Sequence, residues 1–570
     1  MRLLLACFAS ASACTIFAAG RGATKDGSVI VSHSDDGDPS NDARIVYVPA
    51  ADYAPNATRN IYYTAESFPR YVGDERGPDY KPTEATGPAS KPIGSIPQVA
   101  HTFGYQDSTY GVINEHNVAV AESTCSAVFM TCAATLTHGC EKGRKVGAAL
   151  MSIDTLSELA MERSKTAREA VELMGSFAEK YGFYGPGGFE GGGESLMVAD
   201  PTEVWVFNIL ADSTGTGAIW AAKRVPDDHV TVGANMFTIR EVNTTDTANC
   251  LASKNVYDVA EKQGWWKKGE VLDFTRTYSD GEYAHQYYSG RRMWRGFQMA
   301  APSVKLSDTY DDLRYNRTWP WSVKPDQPVT HHDFMRWHRD YYVGTQYDMT
   351  KGVAAGPFGS PDRYSAYSEK IKGSFERSIA LYRTNMVYVQ HLREATKDLP
   401  KELAGVAWMG PGAAHYAPFI PLPSGVNRSI DVLKIAMPKH FSTKSLNWAV
   451  RKVMDLAQIR FDKMHPLVEK AQLALEAEGD ALMEFAAYEY KGDKTALTVS
   501  VNEFADKALR MWQDLADEMV FAYSDNSDII HGGSLGYSDA WLKAAGFENG
   551  PPPPPEEKQC PPLCPGDVLV

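Results

Sequence analysis

The sequence predicts a layered α+β fold, and three patterns along the chain indicate it. Short runs of β-branched and aromatic residues, typical of strands, dominate residues 195–239. Apolar residues at helical spacing precede them, between residues 152 and 181. Turn residues rather than helices separate successive strands, which therefore follow one another as hairpins. Helices set apart from hairpin-connected strands are typical of α+β architecture and not of strict βαβ alternation.

Strands and two helices are predicted for the first half of the chain. The first helix begins after Ser152, a favourable N-cap residue. The second helix runs from Thr166 to Tyr181 and ends at Gly182. A hairpin is predicted over residues 110–121. The other predicted strands cover residues 28–32, 44–49, 195–199, 204–207, 218–223 and 230–235.

Long helices are predicted for the last third of the chain. One covers Ser368–Thr396, a second starts near Ser445 and breaks or kinks at Pro466, and a third covers Val499–Ala522. From residue 549 the sequence becomes rich in proline, which predicts a polyproline-like or disordered tail.

The first thirteen residues have the pattern of a short signal peptide. Arg2 gives a positive start, residues 3–9 are apolar, and Ala11–Ala13 are small, as at a cleavage site. Cleavage after Ala13 would make Cys14 the first residue of the mature chain. We therefore expect a leader at residues 1–13 and a secreted or lysosomal protein.

Cys14 is the leading candidate for a catalytic residue. A cysteine at a chain terminus carries a nucleophilic thiol and a base on one residue, since its α-amine has a pKa of roughly 7.7–8.0. The thiolate can attack a carbonyl while the amine shuttles the proton, so no distant histidine is required. The alternative is that Cys14 merely begins the first strand behind an ordinary leader.

Composition limits the possible partners. The chain has 57 basic and 71 acidic residues and a formal net charge of −14, which disfavours a general nucleic-acid-binding function. No apolar run of about 18 residues follows the leader, so no membrane span is expected. A homo-oligomer is compatible with this composition.

Cysteines and glycosylation sequons agree with an oxidising compartment. Without Cys7 and a catalytic Cys14, six cysteines remain that could all pair, and Cys250 is a candidate distant partner for the group Cys125, Cys132 and Cys140. Asn-x-Ser/Thr sequons, which predict a glycoprotein, occur at Asn56, Asn243, Asn316 and Asn427.

Competing hydrolase chemistries find less support in the sequence. His331, His332 and His338 lie near Asp333 and Asp340, but no glutamate is placed between the histidines as in a zinc protease helix. We interpret this stretch as an aromatic-rich surface segment. The chain has no Gly-x-Ser-x-Gly elbow and no papain-like cysteine context.

Ordered sequence blocks resemble the dipeptidase A and secernin family of N-terminal-nucleophile cysteine peptidases. The match is good from Cys14 to Arg295 and looser over the helical remainder. The matching blocks are Cys14–Phe17, Ala23–Ser28, His33–Asp36, Tyr110–His116, Glu122–Cys125, Thr166–Ala170, Gly193–Ser195, Asp200–Trp205, Ala222–Asp228 and Gly233–Asn235.

The resemblance implies a four-layer αββα fold, related to choloylglycine hydrolases and penicillin V acylase, with added C-terminal helices. It also implies cleavage of dipeptides without a metal or an organic cofactor. On this basis we expect a leader at 1–13, a catalytic core at 14–345, a helical C-terminal part of the same unit at 346–545, and a proline-rich tail at 546–570.

Three roles follow from the resemblance at the matching positions. Cys14 would be the nucleophile, with its α-amine as the base. Asp36 matches the aspartate that holds the nucleophile and the amine, although a turn aspartate is the alternative. Asn235 matches the asparagine that donates to the oxyanion, although a cap at the end of a strand is the alternative.

Further positions match less closely. Arg292 matches a site arginine, and Arg291 is equally eligible. Thr124 falls near another position on the oxyanion side. The sequence departs from the amidase relatives at His33, where they keep an arginine.

We therefore expect a cysteine-type dipeptidase that forms an acyl-enzyme on Cys14. Two alternatives stay open: a non-peptide N-acyl amide hydrolase of the penicillin or bile-salt acylase type, and a non-catalytic, secernin-like secreted binding protein.

Overall fold

The computed structural model describes most of the chain. The described residues are 14–37, 41–63, 74–82, 90–134, 147–186, 191–281, 286–308, 319–364, 375–436 and 440–550. The predicted leader at residues 1–13 and the proline-rich tail from residue 551 onward lie outside them. So do Cys140 and the sequon at Asn316.

Strands and helices occur along the whole described chain. The strands are β1 (Thr15–Ala19), β2 (Val29–Asp35), β3 (Val46–Val48), β4 (Ala51–Asp52), β5 (Thr58–Tyr62), β6 (Pro92–Pro97), β7 (His101–Thr102), β8 (Tyr105–Asp107), β9 (Gly111–Asn114), β10 (Ala119–Cys125), β11 (Gly193–Ala199), β12 (Val204–Ala211), β13 (Ala218–Arg224), β14 (Val230–Gly233), β15 (Cys250–Ala252), β16 (Met386–Leu392), β17 (Gly405–Pro411) and β18 (Ile420–Pro423). The helices are α1 (Ile153–Arg163), α2 (Ala167–Tyr181), α3 (Val256–Lys262), α4 (Phe274–Tyr278), α5 (Arg291–Ala300), α6 (His331–His338), α7 (Lys401–Ala404), α8 (Leu446–Ala457), α9 (Phe461–Glu489), α10 (Lys494–Tyr523) and α11 (Asp539–Ala544).

The larger sheet has the strand order β15-β13-β12-β11-β10-β9-β8-β3, and its neighbouring strands are antiparallel. The predicted hairpin is the β9–β10 pair, in which Ala119 lies opposite Ile113. Strand β10 is buried along its whole length although its sequence includes Glu122, Ser123 and Thr124. Polar side chains in a fully buried strand need partners from other elements, which makes β10 a candidate site strand.

The smaller sheet has the order β14-β1-β2-β16-β17-β18 and is also antiparallel. Strand β1 lies between β14 and β2, with Thr15 opposite Ser34. Cys14 directly precedes β1, so the register fixes its position near the end of β2.

The two sheets pack against each other through buried apolar side chains, with β2 against β10 and β11. On the larger sheet α1 and α2 cover the opposite face, and on the smaller sheet α5, α6 and α8 pack against its strands. Helices α9 and α10 contact β18. The structure is therefore an α+β fold with two large antiparallel sheets, and the described residues also form two two-stranded antiparallel sheets, β4–β7 and β5–β6. No helix within the described ranges is long and apolar enough to span a bilayer.

The predicted starts of the first two helices and the predicted end of the second helix are confirmed. Ser152 accepts a hydrogen bond from the Thr155 amide at the start of α1, and Thr166 accepts one from Glu169 at the start of α2. Gly182 ends α2 with φ 75°. Glycine adopts this conformation without the steric cost of a Cβ atom.

The predicted helix over Ser368–Thr396 is wrong where the structure describes this stretch. Residues 386–392 form strand β16, which pairs with β2 on one side and β17 on the other. Hydrogen bonding along both edges and full burial favour a strand for this Val- and Tyr-containing segment. Strands from beyond residue 345 thus complete the sheet that holds β1. The helix break predicted at Pro466 lies earlier, at residues 458–460, where a short 3₁₀ helix connects α8 to α9. Pro466 itself lies inside α9.

The expectation that six cysteines pair is also wrong. Cys132 is disulfide-bonded, whereas Cys125 and Cys250 are reduced thiols. Cys125 ends β10 and Cys250 begins β15, and β11, β12 and β13 lie between these two strands in the sheet. Four inter-strand steps span about 19 Å, far beyond the reach of a disulfide.

Candidate active site

Cys14 lies between the two sheets. Its residue is fully buried, and its Sγ donates to Glu122 Oε2 at 3.4 Å. Cys14 precedes β1 of the smaller sheet, and Glu122 projects from β10 of the larger one. The contact between the sheets therefore places a carboxyl group beside the candidate nucleophile.

A histidine lies next to the same carboxyl group. His33 Nε2 is 3.6 Å from Glu122 Oε2, and the rings of Tyr110 and Tyr388 pack edge-on against the imidazole. Burial holds the pKa of His33 well below its usual range, and the nearby His338 acts in the same direction. Burial raises the pKa of Glu122. Both shifts favour neutral side chains in this part of the site.

Arg292 connects the backbone of Cys14 to Asn235. Its Nη1 donates to Cys14 O at 2.7 Å and to Thr15 Oγ1 at 3.0 Å. Its Nη2 donates to Asn235 Oδ1 at 2.8 Å. Burial, and next the nearby Arg377, lower the pKa of Arg292 to about 10. Because this value stays well above neutrality, Arg292 is a cation in the site at neutral pH.

Asn235 follows β14 and adopts a left-handed backbone conformation, with φ 53°. Its backbone N–H donates to Ser123 Oγ at 2.9 Å, and its Nδ2 donates to Thr124 O at 2.8 Å. Asparagine is among the residues that tolerate such a positive φ. Strand β10 therefore holds both the backbone and the side chain of Asn235.

Asp36 reaches the start of β1 through Ser34. Ser34 Oγ accepts from the Thr15 N–H at 3.2 Å and donates to Asp36 Oδ2 at 3.2 Å. The Asp36 carboxylate also accepts from Arg377 and Thr384. This chain of hydrogen bonds suits Asp36 for orienting the first residues of β1.

Comparison with known proteins identifies the family of this chain. A model of Peptidase family C69 matches residues 13–474. The chain belongs to Peptidase family C69. The predicted relation to dipeptidases is thereby confirmed at the level of the family, and the matched region contains every residue of the site described above.

Relatives of this C69 chain include proteins named as dipeptidases. A probable dipeptidase of Latilactobacillus sakei is 24% identical over 437 residues, which cover 77% of this chain and 79% of that protein. A probable dipeptidase B of Streptococcus pyogenes serotype M1 is 23% identical, over 78% of each chain. A probable dipeptidase B of Lactococcus lactis subsp. lactis is 23% identical over 90% of this chain and 96% of that protein.

The structure distinguishes Arg291 from Arg292, which the sequence left as equal candidates for the site arginine of this C69 chain. Arg291 donates from Nε to Glu376 at 3.1 Å and stacks on the Tyr347 ring at 3.5 Å. Arg292 instead turns towards Cys14. Thr124 contributes a carbonyl to Asn235, and its hydroxyl donates to Glu122 Oε1 at 2.9 Å.

The histidines near residue 335 lie elsewhere in the fold. His331 and His332 contact Asp480 of α9. The expectation of a surface segment is wrong for His338, which is fully buried and hydrogen-bonded to Ser32 Oγ at 2.8 Å. Helix α6 packs on the smaller sheet, and this packing buries one side of the segment.

Sequence reasoning assigned no role to several C69 site residues. Glu122 and Ser123 lie inside a matched block, and the signal that could have found them is a polar run in an apolar strand. Arg377 and Thr384, which hold Asp36, gave no local signal because they are more than 340 residues from it in sequence.

Proposed function

We propose that the protein is a cysteine-type dipeptidase that cleaves the peptide bond of a dipeptide through an acyl-enzyme on Cys14. The observation that carries this proposal is the contact of one cation, Arg292, with both the Cys14 backbone and Asn235. Membership of Peptidase family C69 supports peptide hydrolysis, and the names of the relatives support dipeptides as substrates.

The proposed reaction begins with a proton transfer within one residue. Once residues 1–13 are removed, the free α-amine of Cys14 accepts the thiol proton. The thiolate then attacks the carbonyl carbon of the dipeptide and forms a tetrahedral oxyanion. The departing amine takes the proton as the C–N bond breaks, and a thioester remains. Water, activated by the α-amine, hydrolyses the thioester and restores the thiol.

Asn235 is the proposed donor to the oxyanion. Loss of one such donor typically raises the barrier by about 2.7–4 kcal/mol. Its orientation is supported by the contacts with Arg292 and Thr124, which fix opposite ends of its amide. Asp36 acts in this proposal as a positioning residue, through Ser34, for the start of β1.

The proposed fold is the four-layer arrangement of N-terminal-nucleophile hydrolases, with the sheets as inner layers. The packing of β2 on β10, with helices on the outer faces, supports it. We retain a catalytic core at 14–345 and a helical part of the same unit at 346–545, with β16–β18 contributed to the core sheet by the second region.

A secreted or lysosomal location is proposed together with this mechanism, because both need removal of a leader at residues 1–13. Exposure of the sequon residues Asn56, Asn243 and Asn427 is compatible with glycosylation. The disulfide at Cys132 is compatible with an oxidising compartment.

The test compares purified mature wild type, Cys14→Ser and Cys250→Ser. N-terminal sequencing should give Cys14 first, and wild type and Cys250→Ser should hydrolyse a dipeptide panel equally. Cys14→Ser should lose at least about 10³-fold in kcat, as expected for a missing nucleophile. Activity in Cys14→Ser, or in protein with a blocked α-amine, would overturn the proposal. Turnover of N-acyl amides but not dipeptides would favour the acylase-type alternative.

A further inference from the structure

Three different ligand atoms converge at Cys14. Cys14 Sγ, His33 Nε2 and a carboxylate oxygen of Glu122 all lie within 4.8 Å of one another, and all three residues are buried. Glu122 Oε2 is 3.4 Å from Cys14 Sγ and 3.6 Å from His33 Nε2. A thiolate, an imidazole and a carboxylate form a donor set typical of zinc.

His33 is the unusual member of this group. Neither of its ring nitrogens has a hydrogen-bond partner within the described ranges, although its side chain is fully buried. The distance of 3.6 Å to Glu122 is too long for a hydrogen bond. A buried nitrogen without a hydrogen-bond partner destabilises the folded state, so a ligand bound to Nε2 would remove that cost. Burial also keeps the imidazole neutral, which is its metal-binding form.

We propose that Cys14, His33 and Glu122 form an inhibitory binding site for a thiophilic divalent cation of the Zn²⁺ class, completed by the α-amine of mature Cys14. This inference rests on the proposed function, because the amine is available only after removal of residues 1–13. The thiolate and the amine of one cysteine would form a five-membered chelate ring on the metal.

The distances agree with tetrahedral zinc. Zinc–ligand bonds of about 2.3 Å for sulfur and about 2.0–2.2 Å for nitrogen and oxygen place tetrahedral ligands about 3.4–3.6 Å apart. The separations of 3.4 Å from Glu122 Oε2 to Cys14 Sγ and 3.6 Å to His33 Nε2 match these values within the tolerance expected of a metal site. Mg²⁺ and Ca²⁺ prefer oxygen ligands and are poorly served by sulfur and imidazole.

Binding would stop catalysis by occupying the reacting atoms. The Cys14 thiol, the Cys14 ammonium and the neutral carboxyl group of Glu122 each lose a proton to solvent as the S–Zn, N–Zn and O–Zn bonds form, and no electron transfer is involved. The sulfur lone pair that attacks the substrate and the amine lone pair that accepts the proton are then both engaged.

The experiment uses the mature, chelator-stripped enzyme and Zn²⁺ or Co²⁺ as the probe. Calorimetry should show Zn²⁺ binding, Co²⁺ should give a thiolate-to-cobalt charge-transfer absorption, and activity should fall with Zn²⁺ and return with chelator. Cys14→Ser should lose the absorption, and His33→Gln and Glu122→Gln should each weaken Zn²⁺ binding at least about tenfold. Mg²⁺ at the same concentration should leave activity unchanged.

Matched variants separate this site from a second histidine cluster. His331, His332 and Asp480 also bring three ligand atoms together, so Asp480→Asn serves as the control and should keep the cobalt absorption. Binding that is lost in Asp480→Asn but kept in Cys14→Ser, or no Zn²⁺ binding in wild type, overturns the proposal. If the enzyme hydrolyses dipeptides but gives no absorption after Co²⁺ is added, the metal-site proposal fails and the proposed function stands. If Co²⁺ gives this absorption in a protein that does not hydrolyse dipeptides, the metal site stands and the proposed function fails.

Discussion

Arg292 donates from Nη2 to the side-chain oxygen of Asn235 at 2.8 Å, and this bond fixes which end of the amide faces the arginine. A guanidinium has donors only, so it selects Oδ1 and leaves Nδ2 directed towards the carbonyl of Thr124. The same cation holds the backbone carbonyl of Cys14. One side chain therefore positions both the candidate nucleophile and the candidate oxyanion donor.

Replacement of Asn235 should reduce the rate of the chemical step. Asn235→Ala removes the proposed oxyanion donor, and we expect kcat to fall about 10²- to 10³-fold with little change in KM. Steady-state kinetics on a dipeptide provide the measurement. Asn117→Ala is the matched control, because Asn117 also has a positive φ, 62°, but lies in the β9–β10 turn. An equal loss in both variants would point to backbone strain instead of catalysis.

Substitution of Arg292 by lysine should cost activity even though the charge is kept. A single ammonium group cannot donate at once to Cys14 O and Asn235 Oδ1, as the forked guanidinium does. Misplacement of reacting groups by about 1 Å can cost on the order of 10²-fold, and we expect a loss of that size in kcat/KM. Arg291→Lys, which alters the contact with Glu376, should stay close to wild type. The opposite ranking of the two variants would show that the site arginine was misassigned.

The elements that could be predicted from sequence are those with local signals. The caps at Ser152 and Thr166 and the β9–β10 hairpin each depend on a few neighbouring residues. Strand β16 could not be predicted in this way, because its identity depends on pairing with β2 and β17. The distance of several hundred residues between β2 and β16 leaves no local trace of that pairing.

The candidate site likewise contains residues that the sequence could indicate and residues that only the fold brings together. The resemblance to known peptidases pointed to Cys14, Asn235 and Arg292, which the structure joins in one hydrogen-bond network. It did not assign Glu122 as the carboxyl group beside the sulfur. That contact arises from packing of one sheet on the other across 108 residues of sequence, which no residue pattern encodes.

Asp35 should make stability depend on pH. Burial, and next the electrostatic interaction with the nearby Glu122 carboxyl group, raise its pKa from 3.8 to about 7, so the folded protein holds a proton that the unfolded chain releases. This contribution to stability is complete below about pH 4 and is lost as pH rises to about 7. Asp35→Asn cannot ionise. Its free energy of unfolding, relative to wild type, should therefore increase by about 3 kcal/mol between pH 5 and pH 8.

Urea unfolding of both proteins at the two pH values measures this difference. If Asp35→Asn and wild type differ by the same free energy of unfolding at pH 5 and pH 8, the carboxyl of Asp35 is ionised in the folded protein throughout this range.

Gly479 tests whether the C-terminal helices fold as one unit with the sheets. It lies in α9, and a Cβ atom there would stand 2.8 Å from the ring of Trp408 on β17 and 3.4 Å from Phe504 of α10. Both rings are largely buried, at 2% and 8% exposure, so neither can move aside freely. Gly479→Ala should therefore lower the free energy of unfolding by about 1–3 kcal/mol. The better helix propensity of alanine, up to about 1 kcal/mol, offsets only part of that overpacking.

Chemical unfolding followed by tryptophan fluorescence and by far-ultraviolet circular dichroism measures the effect of Gly479→Ala. Gly536→Ala is the matched control, because a Cβ atom at Gly536 would meet no atom within 4 Å. If α9 and the sheets unfold together, both signals shift equally in Gly479→Ala and neither shifts in Gly536→Ala. A shift confined to the helical signal would mean that α9 detaches before the sheets unfold. In that case the strands from beyond residue 345 would belong with the core, and α9 would form a separate cooperative unit.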